Sequence, residues 1–310
     1  MAFIKGFGAY RPERLVENSE LAEVANCDAA WIREMSGIEQ RRFAGRDEGV
    51  VEMGANAARD CLNRTGLSAT DIGLLIVSSG SSPQRFPGPA AAIGHALGMD
   101  GIAAFDLPMA STGALVGMHL AARLAAVHGN VLVVAAEKMS EIALQEPIDR
   151  NTAILFGDGA GACVIGPDSG IAEVLDGRLH SDGAFAADLR LDFGRPIEMN
   201  GRTVILQASR KIPAVIEETL SAVGCSAAEV DVFLMHQANQ NLIARVARAL
   251  NVAPEKFFSN IHRYGNTSSA SMLIAASEWF EMHRLAAGYL AVFAVFGAGF
   301  HWGSLAARGT

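Results

Sequence analysis

The stretch that decides the fold is FDLPMASTGALVGM, residues 105–118. Its first residues continue a strand-like run, and Ser111-Thr112-Gly113 then opens an apolar segment that extends to His128. A strand followed directly by a helix is the repeating unit of α/β proteins. Ligands of open α/β sheets bind beyond the carboxyl ends of the strands, so Ser111 lies where a reactive group is expected. As an isolated serine, Ser111 could equally cap the helix with its hydroxyl.

The alternation of strand-like and helical runs extends in both directions from this stretch. Strands are predicted over residues 72–78, 102–107, 131–136, 161–165, 230–235, 257–261 and 290–296. Helices are predicted over residues 88–97, 113–128, 239–250 and 268–283. This pattern predicts an α/β protein with a mostly parallel sheet.

The order of the elements predicts an internal duplication. The corner at Ser111 recurs at Asn266, about 155 residues later, which fits two similar α/β units packed face to face. We expect one half over residues 1–168, with the Ser111 corner, and the other over residues 169–310. The helix after Ser111 is apolar nearly all round, so it is expected in the interior, between two sheets.

Composition excludes several classes of protein. The 310 residues are 50% hydrophobic and 19% charged, with a net charge of −8, which is typical of a globular protein and disfavours nucleic acid as a partner. The longest apolar stretch, residues 289–300, is interrupted by glycines and is too short to cross a membrane. The four cysteines are scattered, which predicts neither a metal site nor a disulfide framework, so a reducing cytoplasm is the expected location.

Three polar residues follow strand-like runs at places where they could meet. Ser111 follows residues 102–107, His236 follows residues 230–235, and Asn266 follows residues 257–261. A hydroxyl, an imidazole and an amide together form a plausible acyl-transfer site. Singly, each has a structural explanation: a helix cap for Ser111, a hydrogen-bonded core histidine for His236, and a turn residue for Asn266.

Two glycine-rich segments are expected beside this site. Residues 156–161, FGDGAG, resemble a nucleotide-binding loop, but a strand-like run follows them instead of a helix, so we interpret them as a tight backbone path. Residues 296–300, FGAGF, would bring backbone N–H groups close to a reacting carbonyl oxygen. The alternative for both segments is an ordinary tight turn.

Taken together, these motifs resemble the β-ketoacyl-acyl-carrier-protein synthase III family of the thiolase-like superfamily. The resemblance runs nearly end to end. It is carried by GFGAYRPE at 6–13, WI at 31–32, SGIEQRR at 36–42, DRNT at 149–152, FGDGAGA at 156–162, HQAN at 236–239, YGNTS at 264–268 and FGAGFHWG at 296–303.

The resemblance implies a five-layered αβαβα fold, a homodimer and a two-stage reaction. An acyl group moves from coenzyme A or a carrier protein to an active-site residue, and a decarboxylated malonyl unit on the acyl carrier protein then attacks it. His236 and Asn266 match the residues that assist decarboxylation, and the backbone N–H groups of Ser111 and Ala298 match the oxyanion hole. Coenzyme A enters as a thioester substrate; no bound cofactor or metal is implied.

This chain departs from the family at the nucleophile, because Ser111 stands where the family has cysteine. A serine hydroxyl is a much weaker acid than a thiol and needs a positioned base, for which His236 is the candidate. Three explanations remain open. Ser111 still carries the acyl group in place of cysteine, the chain is a Cys→Ser variant, or it is a non-condensing acyltransferase, hydrolase or inactive acyl-thioester-binding partner subunit.

Further matches and departures concern the acyl carrier. Trp31 and Arg150 match residues that contact coenzyme A, and Phe86 matches a residue that reaches across the dimer and limits acyl length. Two arginines of the family are replaced by Met35 and Asn241, which removes charged contacts to the carrier. A substitute basic patch for carrier-protein docking is predicted from Lys211, Arg245 and Arg248; the alternative for these residues is an ordinary solvated helix face.

Overall fold

The computed structural model describes residues 1–310. Its strands are β1 (Phe3–Tyr10), β2 (Arg14–Glu17), β3 (Gln40–Phe43), β4 (Ile72–Ser78), β5 (Ala103–Leu107), β6 (Asn130–Lys138), β7 (Asp158–Gly166), β8 (Ala172–Ser181), β9 (Leu189–Arg190), β10 (Glu198–Met199), β11 (Val232–Met235), β12 (Leu290–Gly297) and β13 (His301–Gly309). Its helices are α1 (Asn18–Val24), α2 (Ala29–Ser36), α3 (Val50–Thr65), α4 (Pro89–Ala96), α5 (Gly113–His128), α6 (Met139–Ala143), α7 (Arg150–Ala153), α8 (Gly201–Ala222), α9 (Gln240–Ala249), α10 (Ile261–Tyr264) and α11 (Ser271–Met282). No helix has both the length and the apolar character needed to cross a membrane.

Nine strands form one mixed sheet in the order β11-β12-β13-β8-β1-β7-β6-β4-β5. Only β4 with β5, β4 with β6, and β11 with β12 are parallel pairs, and the other five pairs are antiparallel. The prediction of a mostly parallel sheet is therefore wrong. Strand β13 follows β12 after only three residues, which suffices for an antiparallel return but not for the helical crossover of a parallel pair.

The sheet consists of two halves with the same strand order. The sequence β1-β7-β6-β4-β5 in one half corresponds to β8-β13-β12-β11 in the other, with the same parallel and antiparallel pairs. The fifth place of the second half holds only an isolated parallel bridge between Phe257 and Phe233. The strand predicted over residues 257–261 is thus wrong, because the chain turns into α10 at Ile261 after this bridge. The expected division at residues 168 and 169 falls between β7 and β8 and stays a prediction.

The helices complete five layers. α5 and α11 lie in the middle, where Leu115, Met118 and Leu273 share one core cluster with residues of both halves of the sheet. α3 and α4 cover one outer face, and α8 and α9 cover the other. The predicted αβαβα order with two central helices is therefore confirmed. The end of α5 reaches the surface, where Val127 is 79% exposed.

Candidate active site

The predicted residues meet in one cavity of about 630 Å³ between the two halves of the molecule. Ser111 follows β5, His236 follows β11, and Asn266 precedes α11, so each stands at the junction of a strand-like segment with a helix. These three residues and Ala298, in the turn between β12 and β13, all line this cavity. The duplicated fold therefore brings together side chains that are far apart in the sequence.

Ser111 is held in an unusual backbone conformation, with a φ of +66°. A left-handed φ is uncommon outside glycine and is often found at functional positions. Its Oγ has no hydrogen-bond partner in the protein, so the alternative that Ser111 caps α5 is wrong. Glycine at position 297 permits the chain to pack closely against this serine, because a Cβ on Gly297 would lie 2.7 Å from the Ser111 Cβ.

The two backbone N–H groups predicted for the oxyanion hole differ in availability. The Ser111 N–H donates to the Oγ of Ser268 at 3.1 Å. The Ala298 N–H has no acceptor within the protein. As the structure stands, Ala298 supplies the free donor, and Ser111 supplies one only when the Ser268 hydroxyl is displaced.

His236 is buried at the end of β11, with 5% of its surface exposed. Its Nδ1 lies 2.5 Å from the Oγ of Ser271, the first residue of α11. Burial lowers the pKa of His236 to about 4, because desolvation disfavours the charged imidazolium. His236 is therefore neutral at physiological pH, and its Nε2 has no partner in the protein.

Asn266 is fixed by bonds on both sides. Its backbone N–H donates to the Leu155 carbonyl at 2.9 Å, and its carbonyl accepts from the Gly157 N–H at 3.1 Å. Its Oδ1 accepts the backbone N–H of Ser268 at 2.9 Å. Because a backbone N–H can only donate, the amide is oriented with Oδ1 towards Ser268, which leaves the Nδ2 hydrogens free.

The glycine run at 156–161 lies beside the site, as predicted. A Cβ at Gly157 would lie 2.3 Å from the Tyr264 carbonyl oxygen, so only glycine permits this approach. Arg41, which is fully buried, packs its side chain beneath the same turn and donates to the carbonyl of Ile154 at 2.8 Å. Burial lowers the pKa of Arg41 to about 10.

The serines that follow Asn266 were not singled out from the sequence. Ser269 donates to the carboxylate of Glu137 at 2.6 Å, and Glu137 is fully buried. The same carboxylate accepts from Ser81 at 2.6 Å and from the Gly80 N–H at 3.0 Å, which ties this segment to the end of β4. The sequence signal is NTSSAS at 266–271, where four hydroxyl residues cluster at the start of an apolar helix.

The cavity opens beside α2 and α7. The guanidinium of Arg150 lies over the ring of Trp31 at 5.3 Å, so the two residues predicted to contact coenzyme A are adjacent. Met35 is 49% exposed and lines the same opening. Asn241 donates to the carbonyl of Glu34 at 3.1 Å, so the residue that replaces an expected arginine joins α9 to the end of α2.

The other predicted binding residues lie further out. Lys211 is paired with Asp182 at 3.0 Å and lies 3.9 Å from the centre of the Trp302 ring, so its charge is already engaged. Arg245 and Arg248 are exposed on α9. Phe86 is 86% exposed and does not line the cavity of this chain. Docking by Lys211 and Arg245 and acyl selection by Phe86 stay predictions.

Arg202 and His301 also line the cavity and were not singled out from the sequence. Arg202 is exposed at the start of α8 and makes no ion pair. The Nδ1 of His301 lies 2.7 Å from the Ser181 Oγ, across the pairing of β13 with β8. Arg202 lies in no quoted motif, and His301 lies in FGAGFHWG without being marked by it as a cavity residue, so position in the fold is what identifies them.

Comparison with known proteins agrees with this geometry. The family model described as 3-oxoacyl-[acyl-carrier-protein] synthase III matches residues 105–183, and the model of its C-terminal part matches residues 220–308. The β-ketoacyl-[acyl-carrier-protein] synthase III of Acidiphilium cryptum is 37% identical over 98% of this chain and 98% of its own.

Solved structures give the same result. The 3-oxoacyl-[acyl-carrier-protein] synthase III of Aquifex aeolicus superposes with a TM-score of 0.95 at 33% identity, covering 99% of this chain and 100% of its own. The priming β-ketosynthase of the R1128 polyketide pathway superposes with a TM-score of 0.92 at 31% identity, covering 99% and 96%. The chain belongs to the β-ketoacyl-acyl-carrier-protein synthase III family and is an acyltransferase with the thiolase-like fold.

Proposed function

We propose that this chain starts fatty acid or polyketide chains by decarboxylative condensation. An acyl group from coenzyme A or a carrier protein is transferred to the Ser111 Oγ. Malonyl-carrier protein then loses carbon dioxide, and the resulting carbanion attacks the acyl group. The observation that carries the proposal is that His236 Nε2 and Asn266 Nδ2 both reach one cavity without a partner in the protein.

The two side chains suit the decarboxylation step. When the bond between the α-carbon and the carboxylate breaks, its electron pair moves onto the thioester oxygen as an enolate. Donors that are fixed before the reaction stabilise such a developing charge at little reorganisation cost. A neutral His236 and an oriented Asn266 amide are donors of this kind.

The surroundings of Ser111 suit the acyl-transfer step. Its Oγ faces the cavity from the corner before α5, and the Ala298 N–H is available for the oxyanion of a tetrahedral intermediate. Bond formation between Oγ and the acyl carbon breaks the C–S bond of the donor, whose sulfur takes up the hydroxyl proton and leaves as a thiol. The acyl group then waits on Ser111 as an oxygen ester.

Coenzyme A binding at the cavity mouth is supported by Trp31 and Arg150, because an adenine ring can stack on an indole and a guanidinium. The exposed Arg245 on α9 supports docking of an acidic carrier protein. A homodimer is supported by β5, an edge strand on which Phe105 is 36% exposed, since edge strands with apolar side chains are usually covered.

A second candidate function is favoured by one observation: the Ser111 Oγ makes no hydrogen bond to a base. A hydroxyl without a base is a poor nucleophile. The chain would then hold an acyl thioester without turnover, as a partner subunit of an active enzyme.

Intact-protein mass after incubation with a panel of acyl-CoAs separates the two functions. We expect an acyl adduct on the chain, no adduct on Ser111→Ala, and release of the acyl group as a 3-oxoacyl product when malonyl-carrier protein is added. Saturable binding without an adduct from any donor would support the partner subunit and overturn the proposal. Ser111→Cys serves as the positive control for loading.

A further inference from the structure

Ser271 is the one side chain that contacts the imidazole of His236 by a hydrogen bond. It is 2% exposed at the start of α11, and its Oγ lies 2.5 Å from Nδ1. The same Oγ accepts the backbone N–H of Gln237 at 3.0 Å. No other polar group of the protein is bonded to this hydroxyl.

These contacts determine where the protons lie. The Gln237 N–H can only donate, so it uses one lone pair of the Ser271 oxygen. The hydroxyl hydrogen has Nδ1 as its only acceptor, and a buried hydroxyl is rarely left without a partner. Nδ1 is then an acceptor, and the neutral ring carries its hydrogen on Nε2.

We propose that Ser271 is a positioning residue that holds His236 as an Nε2–H donor towards the cavity, so that His236 does not act as the base for Ser111. The inference rests on the proposed function for the identity of the two steps. It differs from the sequence-based expectation that His236 takes the proton of Ser111. An Nε2 that carries a hydrogen has no lone pair to accept another one.

The proton of Ser111 then needs a different acceptor. The Oγ–acyl bond forms, the C–S bond of the donor thioester breaks, and the hydroxyl proton passes to the departing sulfur, which leaves as a thiol. Acyl loading is therefore independent of the His236 tautomer, whereas decarboxylation depends on it. This separation makes the role of Ser271 measurable.

The tautomer is read directly from nitrogen–proton correlation spectra of the full chain with ¹⁵N-labelled histidine. We expect the wild-type His236 signal to have its hydrogen on Nε2. In Ser271→Ala the Nδ1 partner is lost, and a mixture of the two tautomers is expected. Ser277→Ala removes another buried serine of α11, which contacts Glu281 instead, and should leave the His236 spectrum unchanged.

Kinetics give the second readout. In Ser271→Ala, release of carbon dioxide from malonyl-carrier protein should fall roughly ten- to a hundredfold, the range found for hydrogen-bond partners that orient metal-binding histidines. Acyl loading of Ser111 should stay within about twofold, and Ser271→Thr, which keeps a hydroxyl, should restore most of the decarboxylation.

A wild-type spectrum with the hydrogen on Nδ1, or a parallel fall of loading and decarboxylation in Ser271→Ala, would overturn the inference. If Ser271→Ala does not fold, the wild-type spectrum alone decides the tautomer. Absence of loading and of carbon dioxide release in the wild type would contradict the proposed function, while an Nε2–H signal would still support the role of Ser271.

Discussion

The two corners that precede the central helices are equivalent in the duplicated fold but are built differently. Ser111 precedes α5 with a φ of +66°, and Ser268 precedes α11 with a φ of +47°. The two corners touch, because the Ser111 N–H donates to the Ser268 Oγ. One corner keeps its hydroxyl free, whereas the other uses its polar groups in contacts with neighbouring elements.

The Ser268 corner acts as a scaffold. The Asn266 Oδ1 accepts the Ser268 N–H, and the Ser268 Oγ accepts the Ser111 N–H. Ser269 donates to Glu137, and Ser271 contacts the imidazole of His236. At the Ser111 corner the Oγ of Ser111 has no partner, and neither does the buried Oγ1 of Thr112. One corner therefore leaves its hydroxyl open to the cavity, and the other holds the donors in place.

Removing a donor from the scaffold corner should reduce activity most. Asn266→Ala should lower condensation about 10²- to 10³-fold, the usual cost of losing one oxyanion-stabilising donor. Condensation is measured by formation of the 3-oxoacyl product. Acyl loading of Ser111, measured by intact mass, is the internal control and should change much less; an equal loss of both would show that Asn266 holds the fold of the site instead.

The pH dependence of stability tests the burial of His236. Its folded-state pKa of about 4 lies below the ordinary value of 6.5, so between these pH values the unfolded chain binds the proton and the folded chain does not. Stability is therefore lost as the pH falls through this window. Between pH 7.5 and pH 5 the wild type should lose about 2 kcal/mol more unfolding free energy than His236→Gln.

Urea unfolding at the two pH values measures this difference. Comparison with the variant is needed because burial also lowers the pKa of His119 and His262, which contribute to both chains equally. Equal losses in the wild type and His236→Gln would mean that the imidazole becomes charged as easily in the folded chain as in the unfolded one.

The open corner is tested by filling the space beside it. In Gly297→Ala the added methyl would lie 2.7 Å from both the Ser111 Cβ and the Ala110 carbonyl oxygen, so the corner must shift. Overpacking of this kind costs about 1–3 kcal/mol. We expect a lower Tm and slower acyl loading, with Gly183→Ala, where a Cβ meets nothing within 4 Å, as the control. A normal loading rate would show that Ser111 does not depend on this contact.

Much of this architecture could be predicted from the sequence, and the reasons are physical. Strand β4 and helix α5 have the predicted bounds, because long apolar runs with clear ends specify buried elements. The duplication was also recognisable, although the residue that shares the left-handed φ of Ser111 is Ser268, two residues beyond Asn266.

What could not be predicted depends on contacts between distant segments. The antiparallel pairing of β1 with β7, and of β6 with β7, is a matter of strand direction, which periodicity does not report. The bond between Ser271 and His236 joins residues that are 35 apart in the chain. Serine near a helix start is so common that its partner becomes visible only in the folded chain.

The smallest effect is expected outside both corners, at the cavity mouth. Arg150→Ala removes the guanidinium that lies 5.3 Å from the centre of the Trp31 ring, and an exposed cation–π contact of this kind is worth about 0.5–1 kcal/mol. If coenzyme A binds between these residues, the Kd for acyl-CoA should rise about two- to fivefold, while the rate of condensation from Ser111 already loaded with the acyl group stays the same.

Arg245→Ala is the matched control, because it removes an exposed arginine from α9 and should raise the KM for the carrier protein without changing the Kd for acyl-CoA. Isothermal titration measures the first constant and steady-state kinetics the second. Arg150→Ala could instead slow condensation of the loaded enzyme as much as it weakens acyl-CoA binding. That result would show that the cavity mouth influences the reaction at Ser111, and that the contacts of the two corners do not account for it alone.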